Sequence, residues 1–142
     1  ERMHIGAGTD PSSIQFQVTG QIAATDNITA YYSSDISLKD NIRPIESALF
    51  KVKQIGGYTF TWNEKSHEIQ QEKGKDVGLI AQEVEKVLPE VIQIREDGIK
   101  AIAYDKVVPL LVESIKELSQ MLEKQSKEIK RLKVLVRKNG TK

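Results

Sequence analysis

The apolar spacing from Leu111 onward constrains this chain more than any other feature. Leu111, Ile115, Leu118, Leu122, Gln125, Ile129, Leu132 and Val136 follow one another at intervals of 4, 3, 4, 3, 4, 3 and 4 residues. That is a heptad repeat, with Ile115, Leu122, Ile129 and Val136 at a and Leu111, Leu118, Gln125 and Leu132 at d. One seam on a lone helix stays exposed, so the chain is expected to oligomerise. β-branched a residues with Leu at d lean toward two strands, but Gln125 dilutes that rule. On the repeat alone the strand count stays open. Residues 116–142 also carry nine basic groups against Glu117, Glu123 and Glu128. Nucleic-acid binding would exploit such an excess. The expected use is a solvated coiled-coil face with a frayed basic end, and nucleic acid is not expected as a partner.

Residues 35–109 read as a compact α+β unit. Pro44 suits the first turn of a helix carrying Ile45, Leu49 and Val52 at helical spacing, and Gly56-Gly57 ends it. Tyr58, Phe60 and Trp62 alternate with Thr59 and Thr61, which predicts a strand with one aromatic face used for core packing. Residues 63–76 are almost wholly polar and predict a long loop, of the kind that is functional or disordered. Ile80, Val84, Val87 and Leu88 predict a short helix stopped by Pro89. Val91 to Ile94, Glu96-Asp97-Gly98 and Ile99 to Tyr104 predict a hairpin turning at Asp-Gly.

Residues 1–33 differ in character. They hold one basic residue, Arg2, and residues 12–32 alternate as strands: Ile14, Phe16 and Val18 on one face, then a turn at Asp26-Asn27 before Ile28 to Tyr32. So few apolar residues cannot bury a core alone; this part must pack on copies of itself or on the next part of the chain. The chain is expected to be the end of something longer. No apolar run approaches the roughly 20 residues that span a bilayer, and a net charge of +1 gives no global pull toward nucleic acid or membrane. The absence of cysteine excludes a disulfide scaffold and a thiol nucleophile.

At the boundary lies Ser33-Ser34-Asp35-Ile36-Ser37-Leu38-Lys39, a hydroxyl five residues before a lysine. Serine is a poor nucleophile until a base takes its proton. Lysine does so only as the free amine, and its ordinary pKa is about 10.4. Burial disfavours the ammonium, so such a pair would switch on when assembly desolvates the lysine. The competing reading has Ser34 and Asp35 cap the following turn while Lys39 stays a solvated charge. Other candidates are weaker. His4 and His67 are the only histidines and have no carboxylates at zinc-site spacing. Gly56-Gly57 lacks phosphate-loop neighbours. Glu83 and Glu85 read as solvated or salt-bridged. No metal and no cofactor is expected.

Four motifs in order carry a family resemblance: Ser34-Asp35-x-x-Leu38-Lys39-x-Asn41-Ile42, Tyr58-x-Phe60-x-Trp62, Gly78-Leu79-Ile80-Ala81-Gln82-Glu83-Val84 running to Leu88-Pro89-Glu90, and Tyr104 with Pro109 to Leu118. Together they resemble the C-terminal intramolecular chaperone of phage tailspikes, tail fibres and neck appendages, first recognised in endosialidases. The resemblance covers about residues 34–136. It implies a mostly helical homotrimeric chaperone with a small β-sheet, which folds the upstream β-stalk of its own chain and then releases itself by single-turnover autoproteolysis. It makes Ser34 the nucleophile, Lys39 the general base and Ser34–Asp35 the cleavage site.

Ring size raises Ser33–Ser34 as the challenger: Ser34 reaches the preceding carbonyl through a five-membered ring, but its own only through a four-membered one. The implied organisation is 1–34 as the end of the stalk, 35–109 as the chaperone core and 110–142 as the trimerisation helix. Gln125 at d can satisfy its amide against two symmetry mates around a three-fold axis, and loop 63–76 would hold upstream strands during folding. Assembly is expected in host cytoplasm, with the mature upstream part in the virion. The alternative is a non-enzymatic coiled-coil clamp of a fibre protein.

Overall fold

Residues 25, 34–70, 73–95 and 97–139 are described by the computed structural model, and the strands expected over 12–32 lie outside the described residues. Two antiparallel hairpins are joined by short helices and followed by one long helix, an α+β arrangement. The aromatic alternation forms strand β1, Gly57–Thr61, which pairs with β2, Lys75–Leu79, from Gly57 opposite Leu79 to Thr61 opposite Lys75. Directly opposed residues share a face, so the aromatic side of β1 looks onto Gly78 and Asp76. Phe60 and Trp62 meet edge to face with centroids 4.9 Å apart, and the Trp62 indole N–H donates to Asp76 Oδ2 at 3.1 Å.

The polar run 63–76 is not the long loop expected of it. Helix α2, Glu64–Gln70, occupies its first half and β2 begins at Lys75. Asn63 accounts for the difference: its Oδ1 accepts the Ser66 N–H at 3.0 Å and its carbonyl accepts the His67 N–H at 3.2 Å, capping a helix that has no apolar period to announce it.

Helix α3, Ala81–Val87, ends where Pro89 requires. Leu88 makes the last helical bond, to Val84, and Pro89 opens a 3₁₀ turn over Pro89–Val91. The second hairpin, β3 (Ile92–Ile94) with β4 (Lys100–Ile102), turns at Arg95–Ile99, where Gly98 donates to the Arg95 carbonyl and Asp97 Oδ1 accepts the Ile99 N–H. Val84, Val91 and Val107 form the buried centre, flanked by Ile55, Leu79, Leu88, Ile92 and Ile102.

Helix α1 is a single short run, Ala48–Val52, and does not start at Pro44. Ser47 stands at φ 53°, ψ 39°, a left-handed conformation that interrupts any helix entering from Pro44. Five residues make a marginal helix by themselves, and packing holds this one: Ala48 is fully buried, as is Leu110 on the long helix it lies against. That long helix, α4, runs Val108–Asn139, about 48 Å at 1.5 Å per residue. No helix among the described residues is long and apolar enough to cross a membrane.

Candidate functional site

The strap 34–44 leads into α1 with every residue exposed. One 3₁₀ turn, Ile36–Leu38, folds it back on itself, closed by the Leu38 and Lys39 amides donating to the Asp35 and Ile36 carbonyls. The turn brings Lys39 Nζ to 2.7 Å from Ser34 Oγ and 2.8 Å from the Ser34 carbonyl oxygen. A neutral amine there can accept the hydroxyl proton while donating to the carbonyl; an ammonium can only donate to both. The two residues singled out as nucleophile and base therefore lie in hydrogen-bonding contact, at a distance general-base catalysis requires.

The competing capping reading holds for Asp35 alone: Ser34 Oγ makes no cap, and Lys39 is bonded to it rather than left to solvent. Asp35 Oδ1 accepts from the Ser37 amide at 2.8 Å and from Ser37 Oγ at 2.6 Å. Those bonds, the side-chain one first, hold the Asp35 carboxyl below its ordinary range, with the Lys39 charge a smaller contributor. Sequence reasoning missed Ser37, although Asp-x-Ser at a turn entry is a recognisable capping pattern.

The reading of the two acidic residues as solvated or salt-bridged holds for Glu85 and not for Glu83, which is half-buried and joins two elements by hydrogen bonds. Glu83, on α3, accepts the Gly56 N–H at 2.8 Å and the Tyr58 hydroxyl at 2.7 Å. The Gly56 N–H, then the Tyr58 hydroxyl, lower the Glu83 pKa, and the carboxylate raises that of Tyr58. Position 56 must be glycine for this: a Cβ there would sit 2.3 Å from the tip of the Tyr58 ring. Glu85 pairs with Lys100. His67 is exposed, and no cluster of metal-ligating side chains occurs among the described residues; His4 lies outside them.

Helix α4 presents two faces. Leu110, Ser114 and Glu117 turn inward, with Ser114 Oγ bonded to the Leu111 carbonyl and Glu117 accepting the Ala48 and Leu49 amides at 2.8 and 2.9 Å. Ser47 makes no side-chain cap, so a carboxylate from 69 residues away caps α1 instead. The other face is the heptad seam: Leu111, Ile115, Leu118, Leu122, Ile129, Leu132 and Val136 are 44–71% exposed in the single chain. In the single chain this is an exposed apolar row along one helix. The role of Glu117 was not read from the sequence, where it stood as one charge among many.

Residues 34–93 match the family model described as chaperone of endosialidase, whose name also marks it as a peptidase family. The chain is 36% identical over 108 residues to the long tail fiber protein Gp37 of Enterobacteria phage K3, covering 70% of this chain and 8% of that protein. It is 33% identical over 112 residues to Gp37 of Salmonella phage S16, covering 74% and 15%. It is also 33% identical over 134 residues to Gp37 of Enterobacteria phage Ox2, covering 89% and 50%. The chain thus spans half or less of the length of each of these relatives.

Proposed function

From a chain that carries a chaperone-of-endosialidase domain at residues 34–93, we propose an intramolecular chaperone that trimerises, guides folding of the β-stalk upstream in its own polypeptide, and then cuts itself free. The upstream part is a phage tail-fibre stalk that ends in the virion, and the chaperone acts in host cytoplasm. Trimerisation runs through the exposed seam of α4, with Gln125 satisfied around the three-fold axis.

The observation that carries the cleavage reading is the 2.7 Å contact between Lys39 Nζ and Ser34 Oγ. Lys39 is exposed in the single chain, so packing of copies around the strap is the step that removes water and favours the free amine. The amine takes the Ser34 hydroxyl proton, the alkoxide attacks a peptide carbonyl to form an ester, the lysine returns the proton to the leaving nitrogen, and water hydrolyses the ester. We place the cut at Ser34–Asp35, supported by the Lys39 bond that polarises the Ser34 carbonyl. Because that hydroxyl and carbonyl share one residue, the attacking hydroxyl comes from a neighbouring copy. Ring size favours a second reading: attack within one chain passes through a five-membered ring to the Ser33 carbonyl and cuts Ser33–Ser34.

Intact-mass measurement of the purified chain beside Ser34→Ala and Lys39→Ala tests the reading. A fragment 35–142 from the unaltered chain alone supports the first bond, and 34–142 the second. Equal behaviour of all three chains refutes the dyad and leaves a coiled-coil clamp without enzymatic activity. Light scattering of Ser34→Ala tests assembly: a mass near three times 16.0 kDa is expected, and near twice refutes the trimer.

A further inference from the structure

The Ser34–Lys39 contact has an unusual support. Fully extended, five residues would carry the Lys39 backbone about 17 Å from that of Ser34, so the pair exists only while the 3₁₀ turn Ile36–Leu38 holds. That turn contains no buried residue, and its apolar members Ile36 and Leu38 are 74% and 69% exposed. Hydrophobic burial within the chain therefore does not hold it. Its backbone contributes one long bond, 3.3 Å from the Leu38 amide, and one of ordinary length, 3.1 Å from the Lys39 amide, and a 3₁₀ turn is the weaker kind of helix geometry.

What remains is the Asp35 carboxylate. One oxygen, Oδ1, takes both the amide and the hydroxyl of Ser37, at 2.8 and 2.6 Å. Charge-assisted bonds of that length are the stronger class, and both close the same turn. The lowered pKa of Asp35 has the same cause. The Ser34 hydroxyl is held by Lys39, so the clamp and the dyad use separate atoms.

We propose that Asp35 and Ser37 are positioning residues, a clamp that keeps the strap folded so that Lys39 reaches Ser34 before copies assemble around it. The inference rests on the self-cleavage reading and adds to it. Assembly then has to exclude water and bring a neighbouring copy's carbonyl to a pair already in contact, and the entropy of folding the strap is met locally. Asp35 is also the residue beside the proposed scissile bond. After a cut at Ser34–Asp35 the clamp stays with the chaperone while the hydroxyl leaves with the stalk, so the dyad is dismantled and cleavage is a single event.

The test measures first-order cleavage rates by intact mass on the full chain, with oligomer mass recorded for every variant. Ser37→Ala, which keeps the amide bond and loses the hydroxyl bond, should slow cleavage about three- to tenfold. Asp35→Ala, which loses both, should slow it more than about tenfold. Ser37→Thr restores the hydroxyl and should cleave within about twofold of the unaltered chain. Both positions are exposed, so oligomer mass should be unchanged. Unaltered rates for Ser37→Ala and Asp35→Ala in correctly assembled protein overturn the clamp and leave the dyad standing. Failure of Ser37→Thr to restore the rate also overturns it. An unaltered chain that never cleaves refutes the dyad itself, and the clamp with it.

Discussion

Removing the Glu117 carboxylate should loosen the chaperone core far more than its place on a charged helix suggests. Glu117→Ala takes away the acceptors of the Ala48 and Leu49 amides, at 2.8 and 2.9 Å. Ala48 is fully buried, and Ser47 in its left-handed conformation offers no substitute cap. A hydrogen bond to a charged group contributes about 1.5–3 kcal/mol, and a buried donor left unmet costs about 1–3 kcal/mol. Leu49 is half-buried, so its amide can recover part of the loss from water. The expected destabilisation is therefore about 2–4 kcal/mol for Glu117→Ala, and about half that for Glu117→Gln, which keeps one acceptor oxygen.

The control is Glu113→Ala, one turn away, whose carboxylate meets exposed Lys116 at 2.7 Å; such pairs are worth about 0.3–0.5 kcal/mol. Urea unfolding followed through Trp62, the only tryptophan, reads all three in a Ser34→Ala background at one protein concentration, since oligomers gain stability with concentration. A downward midpoint shift of about 1–2 M is expected for Glu117→Ala. A shift no larger than that of Glu113→Ala would show that the cap is ornamental and that packing of α1 on α4 alone holds it.

Two further outcomes are expected. Glu83 has its pKa lowered in the folded chain by the Gly56 amide and the Tyr58 hydroxyl, so its contribution is complete above the free-carboxyl value near 4.3 and is lost as pH falls through the folded value. Glu83→Gln should therefore be less stable at neutral pH and lose less stability than the unaltered chain on titration below about pH 4.5; parallel curves would show that Glu83 is not held as described. Gly78→Ala would place a Cβ 2.8 Å from the Tyr104 hydroxyl, which itself accepts the Leu79 amide at 3.0 Å. It should cost about 1–3 kcal/mol, and Tyr104→Phe should recover much of that cost in the double variant. Simple additivity in the cycle would refute the close approach.

The sequence made the seam helix legible because a repeat of 3.5 over 26 residues is hard to produce otherwise, and α4 covers all of it. The stop at Pro89, the strand Gly57–Thr61 and the Asp-Gly hairpin were legible for similar local reasons. The core packing expected of the aromatic face was not met: Tyr58 is exposed, and the buried centre is Val84, Val91 and Val107. Two elements were not legible. Helix α2 has no apolar period; its one signal was Asn63 before the run, and a polar stretch hides a cap among many polar residues. The start of α1 was misplaced because Pro44 suits a first turn, whereas the left-handed Ser47 and the distant Glu117 decide it. A cap supplied from 69 residues away leaves no local trace.

The same limit explains what the block Glu113 to Leu118 conceals. Read as heptads, it shows Ile115 and Leu118 facing a partner copy, and Glu117 between them looks like solvent-side charge. In the fold, Ser114 and Glu117 face inward against α1, beside Leu110. One turn of helix therefore holds the chain's own core on one side and an exposed apolar row on the other. In the proposed trimer a partner copy packs against Leu111, Ile115 and Leu118, on the stretch of α4 that caps α1, and α1 follows the strap bearing Ser34 and Lys39. In that trimer, assembly at the seam and order in the strap are thus joined through a single carboxylate and two backbone amides. In the uncut chain, Glu117→Gln should accordingly slow self-cleavage in trimers of normal mass. Cleavage at the unaltered rate would show that the strap takes its order from the Asp35 clamp and the neighbouring copies alone.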